Sequence, residues 1–346
     1  MALVGTLLDF KNCVQATFEG NEESLHAFGK TYSTQLKVYL LENNVGSPAD
    51  AGCPDGKWHP LDAEGWYTNR DGSYPDSFFL DATAERVWRV YSLAGASESD
   101  TMMETWIGRR RGLDYCWLSR NQMFYWEHVP QWRKRGIGVQ FADGLTPEVE
   151  AANLSVKVWH GAYRYFPDLQ DILERAEKQF AVRSVRWQKV VNGSVAISAE
   201  WYSNGKVTVN RGIDVDEVMA VIAELSLRYG DSLGLATKLR DTEAGAFEFV
   251  FSQQVKLDSF ADTVSMGKGD MKLWLAEVES DRELRRFRGV DLHTWDRISL
   301  DMGTDFAYLT VPGRGCVNAV PRLAVVQGED NAGKTAIFYD GVEIFA

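Results

Sequence analysis

The amino-acid sequence predicts an α+β protein, with two-layer mixed domains built on antiparallel sheets and a C-terminal part that is mostly β. Two Asn-Gly pairs, at 192–193 and 204–205, separate segments in which apolar and polar residues alternate, as they do in hairpins. Asp214 and Glu217 have the spacing of a capping box at the start of a helical pattern. After Arg240 the chain consists of short β-rich runs separated by Gly, Asp and Pro. We therefore expect helices that cover one face of each antiparallel sheet.

The N-terminal part combines a buried segment with a long turn-rich stretch. The run TQLKVYLLE, residues 34–42, fits either a strand or a buried helical segment. Residues 43–77 are dense in Gly, Pro, Asn and Asp, and this composition predicts a long ordered loop. The run LDYCWLS, residues 113–119, has the composition of a strand.

Two helices are expected between these segments. Asp81 or Thr83 is the candidate N-cap of the first helix, whose apolar positions are Val87, Val90, Tyr91 and Ala94. The second helix is expected to start at Ser99 or Asp100 and to continue through Met103 and Ile107.

The chain is long enough for two domains, which we predict at residues 1–150 and 151–346. Residues 151–240 are predicted to form a strand, a helix at 167–180, a three-stranded meander and a helix that ends at Gly230. Residues 241–346 continue as a β-rich part. Its last predicted elements are a strand at 323–327, a strand at 335–339 and a hairpin turn at Asp340-Gly341.

Composition limits the classes of function. A net charge of -12 and a pI near 5.0 argue against coating of a polyanion, and 12 Trp, 13 Tyr and 17 Phe indicate rings placed for binding. The four cysteines are far apart, which suggests reduced thiols. The N-terminus lacks a basic residue before its apolar run, and no apolar stretch approaches about 20 residues. These features predict a cytoplasmic protein with no membrane contact.

The run GEDNAGKT, residues 328–335, fits the phosphate-binding P-loop pattern at every position. A working P-loop follows a strand and opens a helix, whose N-terminal amides hold the phosphates. The residues after Thr335 have the pattern of a strand and a hairpin instead. We therefore interpret this GxxxxGKT as a false P-loop, with Lys334 in water, and predict no cofactor.

Residues 106–135 form a basic-aromatic segment. Seven basic and two acidic side chains give the segment a net charge of +5, interleaved with seven large aromatic residues. Such a segment fits a protein interface, contact with nucleic acid, or an aromatic core ringed by arginines. The predicted partner-binding residues are Arg109, Arg110, Arg111, Trp117, Arg120, Trp126, Trp132, Arg133, Lys134 and Arg135.

A weaker pattern predicts a metal site at Asp291, His293 and Asp296. In an extended segment Asp291 and His293 project to the same face, as two metal ligands must. Aspartates at this spacing also mark β-turns, and a lone histidine is more often a structural hydrogen-bonding group.

The sequence thus favours a non-catalytic binding or adaptor subunit of a larger cytoplasmic assembly, with a protein partner or a second copy of the chain bound through residues 106–135. One alternative is a nucleic-acid-binding protein that uses the same segment. The other is a metal-dependent hydrolase or nuclease built around Asp291, His293 and Asp296. No nucleophile or zinc-protease motif supports an enzyme further.

Overall fold

The computed structural model describes residues 4–21, 23, 35–141, 154–159, 181–265, 272–281, 283–330 and 335–345. Helices accompany two antiparallel sheets, and the C-terminal part is mostly strand, which confirms the α+β class. The chain forms two compact units. The first unit contains Met1–Cys116, Glu127–Arg133 and Trp187–Gly230, and the second contains Trp117–Trp126, Lys134–Arg186 and Asp231–Ala346. The predicted domain boundary at residues 150 and 151 lies outside the described residues and stays a prediction.

The first unit opens with helix α1 (Leu7–Glu19). Thr6 caps its N-terminus in a reciprocal capping box with Asp9, and Gly20 ends it in the left-handed conformation at φ 65°. The buried face includes Phe10, whose ring centroid lies 4.5 Å from that of Phe79. Helix α1 is therefore fixed both by its caps and by aromatic packing.

A sheet forms the centre of the first unit. Its strand order is β2-β3-β4-β5-β1-β11-β10, and β6 pairs with the C-terminal end of β1. All eight residues of β1 are buried, and strands pair with both of its edges. The bounds are β1 (Leu36–Asn43), β2 (Lys57–Pro60), β3 (Trp66–Arg70), β4 (Phe78–Asp81), β5 (Val87–Ser92), β6 (Leu113–Tyr115), β10 (Ser194–Tyr202) and β11 (Lys206–Gly212).

Two sequence predictions in the first unit are wrong. The turn-rich residues 43–77 contain a short helix, α2 (Pro48–Ala51), together with β2 and β3, so they are not one loop. The helix predicted around residues 87–94 is strand β5, in which all six residues are buried. The apolar spacing that indicated a helix fits a strand buried on both faces equally well. The second predicted helix is present as α3 (Ala96–Arg109), but it begins three residues before Ser99, after Gly95, so neither Ser99 nor Asp100 caps it.

The predicted meander is confirmed. Strands β9 (Ala181–Val191), β10 and β11 follow one another, joined at Asn192-Gly193 and Asn204-Gly205. Asn192 and Gly193 both have positive φ, 50° and 78°, as the two central residues of a type I′ turn require. Strand β9 runs across the boundary between the units, which falls at Arg186 and Trp187.

Helix α5 (Val215–Thr242) starts where the sequence predicted it, but it does not end at Gly230. Buried positions continue past the glycine at helical spacing, from Ile222, Leu225 and Tyr229 to Leu233 and Ala236. Packing of this face outweighs the local preference of glycine for a helix end, which is worth only about 1 kcal/mol. No helix among the described residues is long and apolar enough to span a membrane.

The second unit holds a seven-stranded sheet of order β13-β14-β15-β16-β12-β17-β18. Its strands are β12 (Phe247–Phe251), β13 (Leu273–Ser280), β14 (Arg285–Asp291), β15 (Asp296–Met302), β16 (Phe306–Thr310), β17 (Thr335–Tyr339) and β18 (Val342–Ile344). The predicted strand 335–339 and the hairpin at Asp340-Gly341 are confirmed. Other elements with residues in this unit are α4 (Arg120–Phe124), a 3₁₀ turn (Tyr125–His128), β7 (Trp132–Phe141), β8 (Leu154–Trp159), α6 (Leu257–Ser265) and α7 (Ala319–Asp330).

Helix α7 corrects another prediction, since residues 323–327 were expected to form a strand. Every residue from Ala319 to Gln327 is buried, so no polar face marks the segment as a helix. Its β-branched composition is that of a strand, and tertiary burial outweighs this local preference. The helix predicted at 167–180 lies outside the described residues.

Candidate functional site

The arginines of the basic-aromatic segment lie largely at the surface. Arg109, Arg110, Arg111 and Arg133 are exposed. Arg120, Lys134 and Arg135 are half-buried. The cationic groups of Arg120 and Lys134 stand over the Phe124 ring, 5.1 and 5.0 Å from its centroid. The segment is divided between the two units.

The three tryptophans assigned to partner binding are buried. Trp117, Trp126 and Trp132 each belong to the core, and the ring of Trp132 packs at 5.8 Å against Trp201. Their side chains are already removed from water, so they have no contact area to offer a partner. The expectation that these rings form an interface is therefore corrected, while the exposed arginines remain available.

The predicted metal ligands are not brought together. The ligand atoms of Asp291, His293 and Asp296 do not form a group within 4.8 Å of one another, although Asp291 and Asp296 are register partners across the β14–β15 hairpin. Asp291 and His293 are buried, whereas Asp296 is half-exposed. One carboxylate oxygen of Asp291 instead accepts a hydrogen bond from the backbone N–H of His293 at 2.9 Å.

The charge partner of Asp291 is Arg322 on helix α7. Its Nη1 donates to Asp291 Oδ1 at 2.8 Å and to the carbonyl of Lys272 at 3.3 Å, and both charged side chains are buried. A guanidinium group in this position neutralises the carboxylate and repels a metal cation. The sequence contains no signal for this pair, because an arginine buried on a helix cannot be told from a surface one without the fold.

The surroundings of the GxxxxGKT run support its interpretation as a false P-loop. The run begins within the last turn of helix α7, which ends at Asp330, and its Thr335 is the first residue of strand β17. This helix-to-strand order is the reverse of the strand-to-helix order that cradles phosphate. Lys334 itself lies outside the described residues.

The second sheet carries an open face that the sequence analysis did not single out. On β14, Arg286, Arg288 and Val290 alternate with core residues such as Phe287, so they project to the side away from the core. Exposed aromatic residues lie on the same sheet, where Trp274 is 58% exposed and Tyr308 is 40% exposed. We call the surface formed by Trp274, Arg286, Arg288, Val290, Arg297, Ser299, Tyr308 and Thr310 the open face.

A groove of about 430 Å³ crosses this open face. It is lined by Arg288, Gly289, Val290, Arg297, Ile298, Ser299, Thr310 and Pro312. Its volume is within the usual range of about 300–1,000 Å³ for ligand pockets. The strands of a regular sheet hold its side chains, so the groove is built on rigid elements.

A buried cluster of charged and polar groups lies in the first unit. Asp100 on α3 accepts hydrogen bonds from the Tyr39 hydroxyl and from Lys206 Nζ, each at 2.6 Å. Nearby on β1, Lys37 is 1% exposed and donates from Nζ to the Ala94 carbonyl at 2.6 Å. Burial, with the nearby Lys206 charge, lowers the pKa of Lys37 to about 8. Burial also raises the pKa of Tyr39, and its hydrogen bond to Asp100 acts in the same direction.

The similarity of this chain to known proteins extends over most of its length. The chain is similar to a protein of Methanocaldococcus jannaschii named "Uncharacterized protein MJECL33", with 23% identity over 338 residues that cover 83% of this chain and 82% of the relative. Residues 10–326 match the family described as MJECL33-like protein, and this span includes residues of both units. The chain therefore belongs to the MJECL33-like protein family.

Proposed function

We propose that this protein is a non-catalytic binding protein, an adaptor subunit that holds a protein partner on the open face of its second sheet. The observation that carries the proposal is the exposure of Trp274 and Tyr308 on a face that also carries Arg288 and Arg297. Trp, Tyr and Arg are the residue types that contribute most to protein interfaces, because they combine large contact area with hydrogen bonding.

The charge pattern of the open face supports a protein partner over nucleic acid. Arg286 is paired with Glu279 at 2.6 Å and Arg288 with Asp301 at 2.8 Å, so acidic groups are interleaved with the basic ones. A phosphate backbone requires a continuous basic track, and binding to it depends on release of counterions. Mixed ion pairs around apolar residues are typical of the rim of a protein interface.

The second candidate function is nucleic-acid binding, and the exposed arginines at 109–111 are the residues that favour it. These side chains can contact phosphates, but the neighbouring tryptophans are in the core and cannot stack on bases. Binding of single-stranded or duplex nucleic acid that weakens steeply with salt would support this candidate. The third candidate, a metal-dependent hydrolase at Asp291, is disfavoured by the Arg322 ion pair.

The proposal is tested by affinity purification from the native host with four versions of the chain as bait. The double variant Trp274→Ser/Tyr308→Ser is expected to lose a partner that the wild type retains, since it removes the exposed rings. The matched control is Leu8→Ser on α1, which removes an apolar side chain that is 64% exposed in the first unit. Retention of every partner by the folded double variant would contradict the proposal. Charge reversal at Arg109, Arg110 and Arg111 tests the basic segment in the same experiment.

A further inference from the structure

We infer that the groove on the open face is an oxyanion site, which receives a carboxylate or phosphoryl group from a peptide segment of the partner. The inference rests on the proposed function and adds the chemistry by which the partner is recognised. None of the eight residues that line the groove is acidic, and two of them, Arg288 and Arg297, are cationic. Such a groove is electrostatically complementary to an anion.

The strand register places the donors on neighbouring positions. Arg288, Ser299 and Thr310 lie opposite one another across β14, β15 and β16. Arg297 pairs with Val290 in the next row, which makes it a diagonal neighbour of Arg288. Diagonal neighbours in an antiparallel pair are about 7–8 Å apart. Arginine side chains are long enough for two guanidinium groups to contact one anion across that distance.

The two arginines differ in what already binds them. Arg288 uses Nη1 to donate to Asp301 and to the Phe287 carbonyl, at 2.8 and 2.7 Å, which fixes its side chain and leaves its other N–H groups for a ligand. Arg297 is exposed, and the residues that the structure describes provide no ion pair for it. Arg297 is therefore the principal charge available to a ligand, while the side chain of Arg288 is held in a fixed position beside it.

The groove also has an apolar side. Val290 and Pro312 line it, and Trp274 on β13 is the register partner of Val290. An anion attached to an apolar or aromatic body can contact both parts at once, with its body against these side chains. Glu279 and Asp301 on the surrounding face would repel a continuous polyanion, so the geometry favours a single anionic group on a peptide.

Two small probes test the site without the partner: phenyl phosphate and phenylacetate, titrated calorimetrically into the full-length chain at low salt. We expect one saturable site of roughly millimolar affinity for at least one probe. Arg297→Gln should weaken it at least about tenfold, because a charge-assisted hydrogen bond contributes about 1.5–3 kcal/mol. Arg286→Gln, a change on the neighbouring strand β14 and on the same face but outside the groove, should leave the affinity unchanged.

The probes also separate the two sources of the anion. Binding of phenyl phosphate alone assigns the groove to a phosphorylated side chain, and binding of phenylacetate alone assigns it to a carboxylate. Absence of saturable binding by both probes would overturn the inference, as would an equal loss in the Arg286→Gln variant. If neither probe binds while Trp274 and Tyr308 still determine which partner co-purifies, the proposed function stands and the oxyanion site does not. Circular dichroism confirms that each variant is folded.

Discussion

The buried ammonium group of Lys37 should make a contribution to the stability of the protein that increases with pH above neutrality. Its pKa is lowered from 10.5 to about 8 in the folded chain. Between these two values the unfolded chain still holds the proton that the folded chain has released. The unfolded state then binds more protons, so the free energy of unfolding increases with pH. Below pH 8 both states are protonated and this contribution is constant.

The structure sets the size of the effect. A pKa difference of about 2.5 corresponds to about 3 kcal/mol between the two protonation states. Of this, about 2 kcal/mol should appear between about pH 7 and about pH 9.5. The groups that shift the pKa are Lys206, which lowers it together with burial, and Asp100 and Glu98, which raise it. Tyr39, Cys53 and Cys116 act in the opposite direction, because burial raises the pKa of each of these groups. Their contributions are the same in the wild type and in a Lys37 variant, so they cancel in the difference between the two proteins.

The assay compares urea unfolding of wild type and Lys37→Met at both pH values by far-UV circular dichroism. Methionine keeps the length of the side chain, and the Ala94 carbonyl still accepts from Ser99 Oγ at 3.3 Å. Between the two pH values, we expect the free energy of unfolding of the wild type to change by about 2 kcal/mol more in the stabilising direction than that of the variant. Lys57→Met, a change at an exposed lysine of β2, should behave like the wild type. Parallel pH profiles for wild type and Lys37→Met would refute the reasoning.

Three further changes test the packing and the caps, with urea or thermal unfolding as the measurement. Arg322→Met leaves the buried Asp291 carboxylate without its cation and should lower the free energy of unfolding by about 3–5 kcal/mol. The double variant with Asp291→Asn should recover part of this loss, and no recovery would argue against the ion pair. Thr6→Ala removes one half of the α1 capping box and should lower stability by about 1 kcal/mol, whereas Thr6→Ser should not. Gly341→Val places a β-branched residue at φ 76° in the terminal hairpin turn and should cost about 1–2 kcal/mol, and an unchanged midpoint would contradict that conformation.

Local signals in the sequence were sufficient wherever neighbouring residues determine the structure. The turn at Asn192-Gly193 selects its hairpin because both residues adopt positive φ without strain, and the same holds for Asp340-Gly341. The start of α5 was predictable from Asp214, whose carboxylate accepts the backbone N–H of Asp216 at 2.8 Å. These features depend on a few consecutive residues and on nothing distant.

Elements buried on every side were not predictable in the same way. Strand β5 and helix α7 both consist of residues removed from water, so neither shows the alternation of polar and apolar positions that separates helix from strand. Strands β2 and β3 were missed because their pairing, Lys57 with Arg70 and Trp58 with Asn69, satisfies the backbone of a segment whose composition favours turns.

The candidate site also has features that could be predicted from the sequence and features that could not. The exposure of Arg109 to Arg111 agrees with their charge, but the burial of Trp117, Trp126 and Trp132 depends on the tertiary structure and could not be inferred from their spacing. The open face was missed because its residues come from separate strands, with Trp274, Arg288 and Arg297 adjacent only after the sheet has formed. The one sequence feature that pointed to the open face was the surplus of large aromatic residues, and a surplus in composition does not say where in the fold these residues lie.

The pairing of β1 has a consequence for the order of events during synthesis. One edge of β1 is joined to β5, which follows it closely in the chain. On the other edge, β6 pairs with the C-terminal end, but the part from Leu36 to Tyr39 waits for β11, which begins only at Lys206. Until β11 has left the ribosome, this part of β1 has an unsatisfied hydrogen-bonding edge of the kind that promotes aggregation. Completion of the first unit is therefore a late, non-local step, and slow folding limited by this closure is expected from such long-range pairing.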